Sequence, residues 1–351
     1  MAIYNTQIHF LYRQFFLTPT PLSPSVSLAG KTGLITGANT GLGYSAAHQL
    51  LSNGLSHLIL AVRNVSKGET ARQKLLASLP PTITSAPEIE VWEVDLAKYA
   101  SIVSFAERVK KSNIVLDFAV LNAGVVQFDI EVNQATGNEQ SIQINWLSTA
   151  LLTLLLLPIL DNQAFTHPER ERPVLSIVGS ETAAWAQFKE APIALKSGKT
   201  LLDTLNENKG FEGTERYYTS KLLYQLFFIE LNSNHRSAAS REKGTVLNLV
   251  NPGFCYGTEL HRGAEGILGR VVATLKRVIG RSVPVGARTL VHGAVSAGVE
   301  SDGQYLTDCR VGPFAGYGDS EAGKKVQGKV WEETVGEVSK VVDVKQLLSE
   351  L

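Results

Sequence analysis

Cysteine is scarce in this chain: Cys255 and Cys309 are the only two among 351 residues. Two cysteines cannot build a disulfide framework and their spacing suits no zinc site. A reducing compartment, the cytoplasm, is therefore the expected setting, and no metal is expected. Surplus charge is lacking as well. Lysine plus arginine and aspartate plus glutamate stand at 33 each, which removes the argument for a nucleic acid or an anionic membrane as partner.

A clean apolar leader is missing too. In "MAIYNTQIHFLYRQFFLTPTPLSPSVSLAGK" the apolar residues are interrupted by His9, Arg13 and Gln14 and then by a Pro/Ser/Thr stretch, so no secretory signal is expected. The segment reads as a short helix packed on the domain surface, with weak membrane attachment through Phe10, Leu11, Phe15 and Phe16 as the lesser alternative. The run "NWLSTALLTLLLLPIL" is short for a membrane span, carries Asn145, Ser148, Thr149 and Thr153, and contains Pro158. It predicts a buried or subunit-facing helix and no span. Internal repeats and dividing linkers are absent, so residues 30–351 are expected to form one domain and 1–29 an extension.

What is present is a core. Hydrophobic residues make up 44% and charged residues 19% of the chain, as in a globular protein. From Gly30 onward strand-like apolar runs alternate with helical patterns: "KTGLITG", "HLILAVR", "EIEVWEVDL", "LDFAVLNAG", "PVLSIVGS", "GTVLNLVNPG" and the short "GQYLTD". Near-continuous hydrophobic strands joined by helices imply an α/β fold with a parallel sheet of about seven strands, helices on both faces and right-handed crossovers. Two stretches are less regular, 181–216 and 257–283. Each follows the carboxyl end of a strand, where such sheets bind ligands.

The segment "TGANTGLG" joins the first strand to the first helix. Glycines there permit a tight turn and a close approach of backbone to a pyrophosphate, which the helix N-terminus attracts. Gly37, Gly41 and Gly43 fall in a G-x-x-x-G-x-G pattern. In this the chain resembles the single-domain branch of the short-chain dehydrogenase/reductase family, which implies a doubly wound Rossmann fold and a nicotinamide cofactor held by Gly37, Asn39, Thr40, Gly41, Leu42 and Gly43. An acidic residue at the end of the second strand would accept hydrogen bonds from an adenosine ribose. Arg63 stands there instead, and a guanidinium suits a ribose 2′-phosphate. That favours NADP(H), with a solvated surface arginine as the alternative. The resemblance further assigns Asp95 to the adenine amino group and Asn122, Ala123 and Gly124 to the cofactor pocket.

A nicotinamide gives a use to "YYTSKLLYQLFF". Hydride transfer to a ketone builds negative charge on oxygen, which needs a proton donor. Tyr217 supplies a phenol, and Lys221 lies one helical turn further on the same face, where its ammonium favours phenolate. Tyr218 falls outside the Y-x-x-S-K pattern that Ser220 completes. By resemblance Lys221 also bonds the nicotinamide ribose, Ser180 holds the substrate carbonyl with Ser176 the weaker candidate, and Asn145 holds a relay water behind the lysine. Pro252 and Gly253 match the segment beside the nicotinamide. The pattern's usual hydroxyl position is Gly257 here, with Thr258 one residue later. The likeness spans roughly residues 30 to 310, and the N-terminal "FLYRQFFLTPTP", together with "NPGFCYGTEL" and the C-terminal "VWEETVGEV", resembles fungal members associated with small-molecule biosynthesis.

The expectation is an NADP(H)-dependent oxidoreductase acting on a ketone or secondary alcohol of a small, apolar molecule. Trp185, Phe188, Leu195, Leu201 and Phe211 either shape its pocket or anchor 181–216 to the core. A non-catalytic nucleotide sensor would need none of Ser180, Tyr217 and Lys221. The epimerase/dehydratase branch has another glycine spacing and a larger C-terminal substrate domain. The family's pairing elements, the Leu151–Leu160 face and the Tyr217 helix, allow a homodimer or homotetramer, although core packing accounts for the same leucines.

Overall fold

Residues with branched or aliphatic side chains and no helical period form strands wherever those runs were found. β1 (Thr32–Thr36), β2 (His57–Val62), β3 (Glu88–Glu93), β4 (Phe118–Leu121), β5 (Val174–Val178) and β6 (Val246–Asn251) are joined by helices. The protein is described from a computed structural model, which covers residues 7–207, 210–257 and 279–351. Two further short strands, β7 (Cys255–Tyr256) and β8 (Arg281–Ser282), pair only with each other, and a hairpin of β9 (Tyr305–Thr307) and β10 (Arg310–Gly312) ends the main sheet.

The main sheet has the order β10-β9-β6-β5-β4-β1-β2-β3. All pairings in it are parallel except β9 with β10. The chain enters at β1, runs outward through β2 and β3, then crosses to β4 on the other side of β1. Strand order reverses between β1 and β4, and the crevice above that reversal is where an open α/β sheet takes its ligand. This is a doubly wound Rossmann fold. β10 was not foreseen. Its loop consists of Asp308 and Cys309, both with left-handed backbone (φ 54 and 59), a conformation usually flagged by Asn-Gly or Asp-Gly. Asp-Cys carries no such signal.

Helices cover both faces. On one, α2 (Gly41–Ser52) packs against the helix Val283–Val295 over Leu50, Leu58, Leu60 and Leu290. α3 (Val65–Ala77) lies beside α2 on that face, its Leu75 in the same cluster, and the other face carries α4 (Tyr99–Lys111), the Asn145 helix (Gln140–Thr166) and the Tyr217 helix (Gly213–Asn234). A C-terminal helix, Glu321–Val338, lies across the last two. Its Trp331 stacks on Phe227 with ring centroids 5.5 Å apart, and its Thr334 accepts a hydrogen bond from Trp146 at 2.9 Å. The Asn145 helix is long and apolar enough to cross a bilayer, but its leucines are inside the protein: Leu151, Leu152, Leu154, Leu156, Leu157 and Leu160 are all buried. Core packing, the second of the two readings of that run, accounts for them.

Candidate active site

The turn after β1 is shaped by its glycines. Gly37 and Gly41 have φ of +65 and +60, where a side chain is strained. Gly43 has no room for one: an added Cβ would lie 2.6 Å from Asn122 Nδ2 and 2.7 Å from the Gly37 carbonyl oxygen. Thr40, the N-cap of α2, makes no side-chain cap, so the first N–H groups of that helix stay open toward the turn. Asn64 by contrast caps α3 with its side chain, accepting from the Lys67 N–H. Uncapped amides behind a glycine turn make a cradle for an anion. Asn122 and Ala123 buttress it. The Asn122 amide donates to the Thr36 carbonyl at 2.9 Å, and Thr36 Oγ1 accepts from both backbone N–H groups of 122 and 123. Thr36 was missed because a strand-end threonine carries no motif of its own. Gly43→Ala is expected to destabilise the protein by about 1–3 kcal/mol through overpacking and to weaken nucleotide binding at least tenfold, read by urea melts and NADPH titration.

Tyr217, Lys221 and Ser180 converge at the carboxyl ends of β4 and β5. Lys221 is buried, its Nζ donates to the Val178 carbonyl at 2.9 Å, and it sits 5.9 Å from the Tyr217 ring centre. Burial pushes its amine down to about 8, so at neutral pH it remains mostly an ammonium. Burial pushes the Tyr217 phenol up to about 12, and an interaction with the Ser180 hydroxyl pulls it back. The phenol therefore keeps its proton at neutral pH. Ser180 caps a short 3-10 turn, Glu181–Trp185, accepting from the Thr182 N–H at 3.2 Å. Ser176, the weaker candidate, is fully buried inside β5. Tyr218 turns away onto Trp185, with ring centroids 5.8 Å apart.

Asn145 occupies a π-helical turn, Gln143–Ser148, a local widening common at functional sites. Its Oδ1 accepts from the Val125 N–H at 2.9 Å, and its Nδ2 donates to the Val125 carbonyl at 2.8 Å and to Ser220 Oγ at 3.0 Å. The side chain thus ties the segment after β4 to the Tyr217 helix. Gly124 fits between them: a Cβ there would come 3.1 Å from Asn145 Oδ1 and 3.7 Å from Lys221 Nζ.

A cavity opens beside Ser180, and one of its walls comes from the N-terminal extension. That extension forms α1 (Gln7–Phe16), as expected, but it does more than rest on the surface. Phe10 meets Trp185 edge-on at 5.0 Å, and Arg13 is buried. The Arg13 guanidinium reaches Glu181 at 3.1 Å, Asp308 at 2.5 Å and the Thr307 hydroxyl. Arg281 pairs with the other oxygen of Asp308 at 2.5 Å. Two cations and two carboxylates thus lock α1 onto the sheet edge. Burial pushes the Glu181 carboxyl up to about 7 against the pull of Arg13. Phe188 and Leu201 are core anchors, Leu195 is exposed, and Trp185 alone of the five apolar candidates lines this cavity.

A family model described as short chain dehydrogenase matches residues 31–166. Short-chain dehydrogenase fogG of Aspergillus ruber is 40% identical over 95% of this chain and 92% of its own. Short chain dehydrogenase virL of Hypocrea virens is 34% identical over 95% of this chain and 92% of its own. This chain belongs to the short-chain dehydrogenase family. Among solved structures, the NADPH-dependent 3-quinuclidinone reductase of Rhodotorula rubra aligns with a TM-score of 0.55 at 19% identity, over 83% of this chain and 96% of that one. The Pseudomonas aeruginosa RhlG/NADP active-site complex aligns at 0.57 and 20%, over 82% and 97%. Both likenesses bear on the fold.

The remaining positions singled out from the sequence of this short-chain dehydrogenase follow the carboxyl ends of β2, β3 and β6. Arg63 follows β2, is exposed, and forms no salt bridge among the described residues. Asp95 follows β3, accepts from the Ala97 N–H at 3.1 Å, and has Lys98 at 3.6 Å. Pro252 and Gly253 follow β6. Gly253 has φ +75, and a Cβ on it would meet Arg281 Nη1 at 2.7 Å. The segment is joined to the buried ion cluster by the Arg281 N–H, which donates to the Phe254 carbonyl at 2.8 Å. Thr258, and with it most of the 257–283 stretch, lies outside the described residues.

Proposed function

We propose that this short-chain dehydrogenase is an NADP(H)-dependent oxidoreductase that interconverts a ketone and a secondary alcohol on a small, largely apolar molecule, in fungal secondary metabolism and in the cytoplasm. Residues 30–351 would act as one catalytic domain. The observation that carries this reading is the convergence of a protonated phenol (Tyr217), a buried ammonium (Lys221) and a hydroxyl (Ser180) beside the glycine cradle.

The residues present fit the cofactor. The turn Gly37–Gly43, with Asn39, Thr40 and Leu42 between its glycines and the open N-terminus of α2 behind it, would hold the pyrophosphate. Arg63 would take the 2′-phosphate, and Asp95 and Asn122–Gly124 would flank the adenosine and nicotinamide ends. When bound, NADPH supplies the hydride.

Everything else falls to the chain. Ser180 donates a hydrogen bond to the substrate oxygen, and that bond strengthens as negative charge develops there. Tyr217 passes its hydroxyl proton to the same oxygen, and Lys221 stabilises the phenolate left behind. In the reverse direction the phenolate takes the alcohol proton. Asn145 keeps the segment after β4 in place beside Lys221.

The test is cofactor titration by fluorescence or calorimetry. Wild type is expected to prefer NADPH to NADH by at least tenfold, and Arg63→Ala to lose that preference by weakening NADPH alone. Equal binding of both by wild type would remove Arg63 from the site; binding of neither would overturn the enzyme reading.

A further inference from the structure

The cavity beside Ser180 is about 30 Å³, enough for one or two groups the size of water. Its polar lining is almost entirely paired. Arg13 is engaged by Glu181, Asp308 and Thr307; Thr307 also accepts from Asn251 at 3.1 Å; Ser180 bonds Thr182 at 2.8 Å. Tyr305 is the exception. It lines the cavity from β9, is 4% exposed, and its hydroxyl has no hydrogen-bond partner among the described residues. A buried hydroxyl without a partner costs on the order of 1–3 kcal/mol, and such groups in native proteins have a reason.

That hydroxyl keeps its proton and so can donate a hydrogen bond. Burial holds the phenol far above its ordinary range, and the carboxylates of Glu181 and Asp308 hold it there too. The ring is fixed, resting on Phe314 with centroids 5.9 Å apart. The apolar walls around it, Phe10, Ala184, Trp185, Pro313 and Ala315, offer no acceptor from their side chains.

We propose that Tyr305 is a specificity residue: it donates a hydrogen bond to a second oxygen of the substrate, so the site selects carbonyl compounds that carry another oxygen function close to the reacting carbonyl. This rests on the carbonyl-reductase reading above. The small cavity admits an oxygen and little more, which suits a hydroxyl or carbonyl group and not a second ring. A substrate with an alkyl group at that point buries Tyr305 without satisfying it, and sites built to bond an oxygen discriminate strongly against analogues lacking it.

The experiment compares wild type with Tyr305→Phe, each first titrated with NADP+ and then, as that complex, with 1-phenyl-1,2-propanedione and with propiophenone, which lacks the second oxygen. Wild type is expected to bind the dione at least tenfold more tightly. Tyr305→Phe is expected to bind propiophenone within twofold of wild type, to lose the preference, and to leave NADP+ affinity unchanged. Because the substitution deletes an unpartnered hydroxyl, its melting temperature should equal or exceed that of wild type. If wild type shows no preference, whether both ketones bind or neither does, the proposal is overturned while the cofactor reading stands. A preference that survives in Tyr305→Phe overturns it equally. Failure of wild type to bind NADP+ removes both readings together.

Discussion

Tyr217→Phe is expected to lower kcat for ketone reduction by about 10²- to 10⁴-fold, the range that a positioned general acid contributes. NADPH affinity should stay within about twofold, because the phenyl ring keeps its place against Tyr218 and above Lys221. Stability should change by no more than about 1 kcal/mol, the net worth of one hydrogen bond, since Ser180 keeps its bonds to Thr182. Steady-state kinetics, NADPH titration and a thermal melt separate the outcomes. A purely structural tyrosine would move the melt and the cofactor affinity and leave kcat nearly intact, and that pattern would remove Tyr217 from the chemistry.

Arg13→Met should be the most destabilising of the substitutions considered, by about 3–5 kcal/mol, the cost of leaving buried charge without its partner. Glu181 and Asp308 both face Arg13, with side chains 12% and 6% exposed. Asp308 keeps Arg281, whereas Glu181 loses its only salt bridge among the described residues. The deficit should depend on pH. Glu181 is pushed up from 4.5 to about 7, so between those values the folded protein holds a proton that the unfolded chain has released. Unfolding then releases a proton, and rising pH across that window destabilises. Arg13 is what pulls the Glu181 value down, so removing it raises the value further. Urea melts should show a smaller deficit at pH 5, where Glu181 is largely protonated in both proteins, than at pH 8. A deficit of the same size at both values would mean that Glu181 is not the group left unpaired. The same substitution should loosen α1 and so open the cavity wall formed by Phe10.

Much of this protein is written in short-range pattern. β4 is buried at every position and reads as an unbroken apolar run, and β6 is buried throughout with only Asn248 and Asn251 breaking its apolar run; strands of this kind belong to sheets covered by helices on both faces. Gly37 and Gly41 announce themselves because only glycine takes their positive φ without strain. Tyr217 and Lys221 share a face because a helix brings residues one turn apart together. Each of these properties is set within a few residues by backbone stereochemistry, so the strand sequence, the glycine turn and the shared face of Tyr217 and Lys221 could be read before any coordinates.

Tertiary structure decided the rest. Arg13 and Asp308 are 295 residues apart, and nothing local to either marks a buried pair. The N-terminal stretch read as a surface helix because its one decisive contact is made with the far end of the sheet. The Leu151–Leu160 run had two consistent readings until the layers around the Asn145 helix were known, since an apolar face looks the same whether the core or a subunit covers it. Tyr305 was only a residue in a short strand. Its importance comes from being enclosed beside Ser180 and Glu181 without a partner, and that enclosure exists only once β9, the turn after β5 and α1 have met. Local stereochemistry acts along the chain and leaves a legible period. Burial and pairing act between surfaces that folding alone brings together.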